Sequence, residues 1–444
     1  MDWSGRIALS AYRTAGYAFS PIAPLFLALR STRGKEIAAR RSERYGKTAQ
    51  VRPSGPLVWV HASSVGETNA VLPLIEQIVE TGSNVLLTTT TVTSSQVANS
   101  RLPKGAFHQF VPLDTPPFVN RFIDYWRPDL ALFVESELWP NIMTELNRRD
   151  IPLIVVNGRM SERSFERWSK FPFAVRQMFG NVPLCLAQAE EDRARYAQLG
   201  VEQVEVTGNL KFDVPPPTAD EQELQVMRTA IGDRPVWIAA STHPGEERLL
   251  AQAHRRMAAR LPNLLTIIVP RHPERGEEIA KELNGFVRQV QRRSAGPGLD
   301  ADTNILLGDT LGELGLFYRL SRIAFVGGSL VSHGGQNPIE PARLGCAILH
   351  GPHTHNFKDI YEALDASGGG ECLNTERELI QTLARMISSP SEVHRRSELA
   401  RLALRPFSGA LDRTMMALNP FLNPLKINAE LNRAHGGDNG TETP

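Results

Sequence analysis

Two carboxylate-bearing loops and one lysine loop in the first half of the chain have the make-up of a reaction site. In His61-Ala62-Ser63-Ser64-Val65-Gly66-Glu67, small residues and a glycine follow an apolar run and open a helix. Free backbone N–H groups at a helix start favour an anion, and glycine lets a ligand approach closely. Glu67 in the first turn is placed either as a general base or as the acid of a capping box. Glu135-Ser136-Glu137-Leu138-Trp139-Pro140 ends the run LALFVE. Two carboxylates straight after buried apolar residues are costly unless paired or functional. Period-two geometry would point both the same way; the other reading is that they cap the helix opening near Pro140. In Gly208-Asn209-Leu210-Lys211-Phe212-Asp213, Lys211 could meet a carboxylate or phosphate, or simply pair with Asp213.

The second half offers anion-binding chemistry. Ser241-Thr242-His243-Pro244-Gly245-Glu246-Glu247 reads as a strand end followed by a capped helix start. Pro270-Arg271-His272-Pro273-Glu274-Arg275 brings two arginines and a histidine to another strand end. Asp309-Thr310-Leu311-Gly312-Glu313-Leu314 resembles a further helix start. Gly327-Gly328-Ser329-Leu330 and Gly334-Gly335-Gln336-Asn337-Pro338-Ile339-Glu340-Pro341 place two glycine pairs after a strand. They are expected to form a phosphate cradle of backbone N–H groups, with Glu340 accepting from ribose hydroxyls. The spacing is neither G-x-G-x-x-G nor a Walker loop, which weakens NAD and ATP-hydrolase readings. Asp300-Ala301-Asp302 follows a Gly/Pro stretch rather than a strand and reads as loop surface. The cluster His350, His353 and His355 reads as a ligand-side loop rather than a metal site.

The elements that must position these residues are short apolar runs alternating with helix-period segments. LVWVHA (57–62), NVLLTTT (84–90), LALFVE (130–135), PLIVVN (152–157), VPLCLA (182–187) and VEVTG (204–208) read as buried parallel strands, with helices over 67–81, 139–149 and 190–199. Pro215-Pro216-Pro217 then breaks the pattern. The alternation resumes with PVWIAAS (235–241), LLTIIVP (264–270), IAFVGG (323–328) and AILHG (347–351). This predicts an α/β protein of two Rossmann-like doubly wound domains facing across a cleft, at 51–214 and 218–423, with 215–217 as linker. Residues 424–444 are expected to be a disordered tail.

The N-terminus is different. Thr14 to Leu29 are sixteen uncharged residues, interrupted by Pro21 and Pro24 and short of the ~20 that span a bilayer. Residues 30–47 follow with seven cations against two anions, a local charge of +5. An apolar segment beside such charge predicts that residues 1–50 associate with an anionic membrane face. Across all 444 residues, 49 Lys+Arg balance 48 Asp+Glu, which argues against a nucleic-acid partner. Cys185, Cys346 and Cys372 lie far apart without C-x-x-C spacing, which excludes a disulfide scaffold and disfavours a zinc-thiolate site.

Taken in order, HASSVGE, ESELWPN, GNLKFD, STHPGEE, PRHPER, GDTLGEL, FVGGSLV, GGQNPIEPA and GPHTHNFKD closely resemble the 3-deoxy-D-manno-octulosonic acid (Kdo) transferases of lipid A biosynthesis. The resemblance implies a GT-B glycosyltransferase with CMP-Kdo as donor, lipid IVA as acceptor, and neither cofactor nor metal. It also implies a location at the cytoplasmic face of the inner membrane. By the same resemblance Glu67 is the general base, and Glu135 and Lys211 stabilise the transition state. The implied CMP-binding positions are Pro270, Arg271, Leu311, Gly312, Glu313, Asn337, Pro338, Ile339 and Glu340. Pro341 after GGQNPIE and the short, proline-broken apolar run depart from the family pattern. A UDP-sugar epimerase or lipid A disaccharide synthase is the nearest enzymatic rival; a tethered nucleotide-sugar sensor would have no need of Glu67.

Overall fold

The structure, a computed structural model, describes residues 3–436 apart from Asn181, Val214 and Pro297. The chain divides into two compact units, residues 1–214 with 407–444, and residues 215–406.

In the first unit the strands are β1 (Leu57–His61), β2 (Asn84–Thr89), β3 (Ala106–Phe110), β4 (Leu130–Val134), β5 (Leu153–Gly158), β6 (Leu184–Ala187) and β7 (Val204–Val206). They form one parallel sheet of order β3-β2-β1-β4-β5-β6-β7. Alternate residues feed two cores. Trp59, Leu86, Phe133 and Val155 face one layer of helices, while Val60, Leu87, Leu132 and Val156 face the other. Both faces are covered, so the strands read as unbroken Val/Leu runs. β3 escapes that pattern because His108 and Gln109 are polar yet buried, bonded to Thr89 and Trp126.

The second unit repeats the plan with β8 (Val236–Thr242), β9 (Leu265–Pro270), β10 (Val290–Arg292), β11 (Ile305–Leu307), β12 (Ile323–Val326), β13 (Ala347–His350) and β14 (Gly370–Cys372). The order is β10-β11-β9-β8-β12-β13-β14, again parallel. In each sheet the order reverses beside the first strand, between β1 and β4 and between β8 and β12. Ligands of such sheets bind at the carboxyl ends next to that switch point.

The proline run belongs to the second unit: Arg319 donates to Pro217 O at 2.7 Å, and a Cβ on Gly315 would meet that carbonyl at 2.4 Å. The expected end of the second domain at residue 423 falls inside the helix Ala410–Gly436, whose Ala410, Leu418 and Leu422 pack into the first unit's core. Asp213 anchors that return, accepting from the amides of Gly409 (2.9 Å) and Leu411 (2.7 Å). The expected disordered tail is corrected over 424–436, which continue the helix in spite of Pro420 and Pro424; residues 437–444 lie outside the described residues.

At the other end the apolar segment folds as two helices, Trp3–Phe19 and Ala23–Thr32. Among the described residues no helix is long and apolar enough to cross a membrane. The first helix is tied to the first unit through Tyr12 to Asp114 (3.0 Å) and Arg13 to Glu145 (2.9 Å).

Candidate active site

At the carboxyl end of the first sheet, Ser64 caps the helix Val65–Glu80 and its hydroxyl receives the Glu67 amide. The Glu67 carboxylate closes back on the cap, accepting from the Ser64 hydroxyl at 2.6 Å and the Ser63 amide at 2.8 Å. The expected capping box is thus present in a variant form, closing on the amide one residue before the cap, and each carboxylate oxygen retains a lone pair for a further proton. Burial raises the Glu67 pKa, against the two hydrogen bonds; the charges of Glu135 and Glu137 push it further up. A carboxylate raised toward neutrality is a better base.

Glu135 and Glu137 do not point the same way. The strand ends at Val134, and Glu135 adopts a left-handed backbone (φ 59°). That conformation is costly for a residue with a Cβ and persists where surrounding structure enforces it, often at functional sites. Here Tyr196 donates to the Glu135 carbonyl at 2.9 Å, and Lys211 Nζ reaches its carboxylate at 2.6 Å. Glu137 turns instead toward His61 (3.7 Å) and accepts from Trp139 Nε1 at 2.9 Å. Burial pulls its pKa up, but His61, Trp139 and Ser63 outweigh it and hold the carboxyl below the usual range.

Lys211 thus pairs with Glu135 and not with Asp213. Its loop is set by Asn157, another left-handed residue (φ 53°), whose Oδ1 accepts from the Leu210 amide at 2.9 Å. The lysine stem passes 3.8 Å from where a Cβ on Gly66 would stand, an ordinary van der Waals distance. Glu67, Glu135 and Lys211 are thereby brought together from three strand ends. Asn157 escaped the sequence reading as a site residue; an asparagine directly after a valine run was the only signal.

The second unit holds a correction. The amides expected to cradle a phosphate are already bonded. The buried Glu246 carboxylate accepts from the amides of Gly328 (2.7 Å), Ser329 (3.1 Å), Leu330 (3.0 Å) and His243 (2.9 Å). Gly335 and Gln336 donate to the carbonyls of Gly328 and Gly327. The second glycine pair serves shape: Gly334 has φ 90°, and a Cβ on it would strike His355 at 2.5 Å. Nor is the 241–247 turn capped by a hydroxyl, since Gly245 occupies the N-cap and Glu246 bonds back to His243.

Other predicted donor-site residues lie at the carboxyl ends of this sheet. Pro270 ends β9 and Arg271 follows it. Glu340 receives Asn337 Nδ2 at 3.1 Å; burial raises its pKa, against Asn337 and Arg271. Leu311 is 85% exposed and Gly312 is left-handed (φ 84°). The Glu313 carboxylate is held by Arg293 at 2.7 Å, which lowers its pKa. Pro338 and Ile339 begin a five-residue helix, too short to supply a helix-terminus site of its own. His350 is spent on Asp365 (2.9 Å). Among the described residues no group of three or more His, Cys, Asp or Glu is placed to hold a metal ion, and all three cysteines are free.

Two doubly wound parallel sheets, each with its polar chemistry at the carboxyl ends of the strands, define a protein of the GT-B class. The UDP-GlcNAc 2-epimerase of Neisseria meningitidis bound to UDP-GlcNAc has the same fold, with TM-score 0.55 over 82% of this chain and 99% of that one, at 14% identity. A family model described as 3-Deoxy-D-manno-octulosonic-acid transferase (kdotransferase) matches residues 39–214. The 3-deoxy-D-manno-octulosonic acid transferase of Haemophilus influenzae is 37% identical over 411 residues, covering 90% of this chain and 96% of that one. That of Bordetella pertussis is 37% identical over 396 residues, covering 85% and 91%. The chain belongs to the 3-deoxy-D-manno-octulosonic acid transferase family of glycosyltransferases.

Proposed function

We propose that this enzyme transfers Kdo from CMP-Kdo to lipid IVA, releasing CMP, at the cytoplasmic face of the inner membrane. The observation that carries the reading is the convergence of Glu67, Glu135 and Lys211. Glu67 takes the proton of the acceptor hydroxyl as that oxygen bonds to the anomeric carbon of Kdo and the bond to the CMP phosphate breaks. Lys211, oriented by Glu135, offsets negative charge as the reaction proceeds. Arg271 and Glu340 serve the nucleotide, the former by charge and the latter by accepting from ribose hydroxyls, with Pro270, Leu311, Gly312, Glu313, Asn337, Pro338 and Ile339 around it. No metal takes part in this scheme, because side-chain cations supply the positive charge.

Membrane attachment is supported by the N-terminal helices, which expose Ile7 (59%), Ile22 (55%), Leu25 (64%) and Leu29 (56%). The basic segment contributes less than its +5 suggests. Arg44 is buried on Glu36, Arg30 shares that carboxylate, and Arg40 is bonded to Glu43 and His108. Arg33, Lys35 and Lys47 are the exposed cations facing solvent. The test is the mass of the product formed from CMP-Kdo and lipid IVA. An increment of one or more Kdo residues is expected; no increment from CMP-Kdo, with turnover of a UDP-sugar instead, would overturn the reading.

A further inference from the structure

With the amides of 328–330 occupied by Glu246, the donor's negative charge must be met by other groups on the second unit. Three imidazoles and two guanidiniums gather at the carboxyl ends of β8 and β9 and in the loop after β12. The buried His243 ring is stacked on the exposed His333 ring, centroids 4.0 Å apart and planes 26° from parallel. The His272 ring stands edge-on to His243 at 6.0 Å. The Arg271 backbone is fixed by its amide, which donates to Thr242 O at 2.9 Å, and the Arg275 guanidinium donates to Glu247 at 3.1 Å. His333 is held in place from below, since Asn356 Nδ2 donates to its carbonyl at 2.8 Å.

Each of the nearby carboxylates already has a neighbouring donor. Glu246 is saturated by four amides, Glu247 by Arg275 and Thr242, and Glu274 sits 3.4 Å from His272 Nδ1. Every other charged group facing His243 is a cation or can become one. Burial, then His333, His272, Arg271 and Arg275, hold the His243 pKa down at about 4. The ring is therefore neutral near pH 7, and its Nε2 accepts from Gln336 Nε2 at 3.0 Å. The rings of His243 and His333 themselves have no carboxylate partner among the described residues, although Glu274 stands beside His272 and Glu247 on Arg275.

We propose that the stacked His243–His333 pair, together with Arg271 and His272, seats the phosphate of the donor, and that binding there draws a proton onto the pair. The assignment deepens the CMP-Kdo reading and rests on it. Stacked imidazoles among arginines are costly to charge when empty; a phosphate on the exposed side reverses that balance. The arrangement also favours the leaving group. The phosphate carries one negative charge as the diester of the donor and approaches two as CMP departs, so a proton on the pair stabilises the product side more than the substrate.

The experiment is calorimetric titration of CMP into wild-type enzyme, His333→Ala and His243→Gln. It is run at about pH 7 and about pH 8 in buffers of different ionisation enthalpy, with cytidine as the phosphate-free control. The second ionisation of a phosphate monoester lies near pH 6, so CMP is mostly dianionic across this range and proton uptake reports on the protein. Wild-type enzyme should take up as much as one proton, with affinity falling by up to about tenfold per pH unit. The variants should bind CMP about tenfold more weakly, without proton uptake, and bind cytidine as wild type does. The exposed His333 carries the test alone if His243→Gln does not fold. Unchanged CMP affinity and proton uptake in His333→Ala would overturn the proposal. So would equal losses for CMP and cytidine, which would make the rings packing elements. Wild-type enzyme that binds UDP and not CMP would refute the parent reading, and this one with it.

Discussion

Glu67 closes onto its helix cap and is also the proposed general base, and Glu67→Gln separates the two roles. The capping box tolerates Gln, which keeps an oxygen for the Ser63 amide and can donate to the Ser64 hydroxyl, so stability should fall by no more than ~1 kcal/mol. A missing base, by contrast, typically costs 10²–10⁴-fold in rate. The pH profile sharpens the separation. In the proposed scheme the ionised carboxylate is the base, so kcat/KM should be present above the Glu67 pKa and lost as pH falls through it. Burial raises that pKa, the Ser64 and Ser63 bonds lower it, and Glu135 and Glu137 raise it. Ser64→Ala deletes a lowering bond and should move the acid limb to higher pH, while destabilising the protein by about 1 kcal/mol through the lost cap. Glu137→Gln deletes a raising charge and should move the limb the other way. Opposite displacements from two neighbours of one carboxylate are hard to produce by general misfolding. The assay is the initial rate of CMP release against pH, with thermal unfolding alongside. Retention by Glu67→Gln of more than about a tenth of the wild-type rate would refute the reasoning, as would limbs that stay put in both neighbours' variants.

Glu246→Ala strands three loop amides without their acceptor, so unfolding should be easier by about 3 kcal/mol or more, roughly 6–12 °C in Tm; a calorimetric Tm within a degree or so of wild type would contradict the bonding described. Glu340→Ala should weaken CMP binding by ~1–3 kcal/mol through loss of a charged acceptor, and calorimetry showing unchanged affinity would remove Glu340 from the site. Combined Ile22→Ser, Leu25→Ser and Leu29→Ser should markedly reduce flotation with anionic vesicles, each side chain being worth up to about 1.5–3 kcal/mol on full burial, whereas Arg44→Gln should lower stability instead; equal flotation of the triple variant and wild type would refute membrane docking through these helices. Asp114, half-buried while accepting from Asn141, Ile142 and Tyr12, has its pKa pushed by desolvation from 3.8 up to about 6. The native state then holds that proton more tightly than the unfolded chain, so roughly 3 kcal/mol of stability present below about pH 4 is lost as pH rises through about 6. Denaturant midpoints of Asp114→Asn should lack this slope; an identical pH dependence in both proteins would count against it.

Much of the architecture was written in local sequence, for a physical reason. Strands covered on both faces need apolar side chains at every position, so LVWVH, LALFV, LTIIVP and AILH announce themselves without alternation. β3, which buries polar groups, and the three-residue β10, β11 and β14 were not legible, although the equally short β7 was. The chemistry-bearing loops were legible as residue types at strand ends, because doubly wound sheets put ligands there.

What the sequence by itself determined, then, was the class of fold, the candidate loops at the strand ends and the family they match. Only the tertiary structure decided which partner each polar group keeps. Glu135 and Glu137 part because the backbone turns left-handed at Glu135, held by Tyr196 and Lys211 from far along the chain. The glycine-pair amides looked free until Glu246 arrived from the neighbouring helix, and Arg44 looked available to lipid until it folded onto Glu36. The helix Ala410–Gly436 returns to the first unit, where Ala410, Leu418 and Leu422 enter the core and Asp213 accepts from the amides at its start. Apolar patterning is a local property that survives in one dimension. The pairing of charges and amides depends on distances closed by the fold, and those exist only in three.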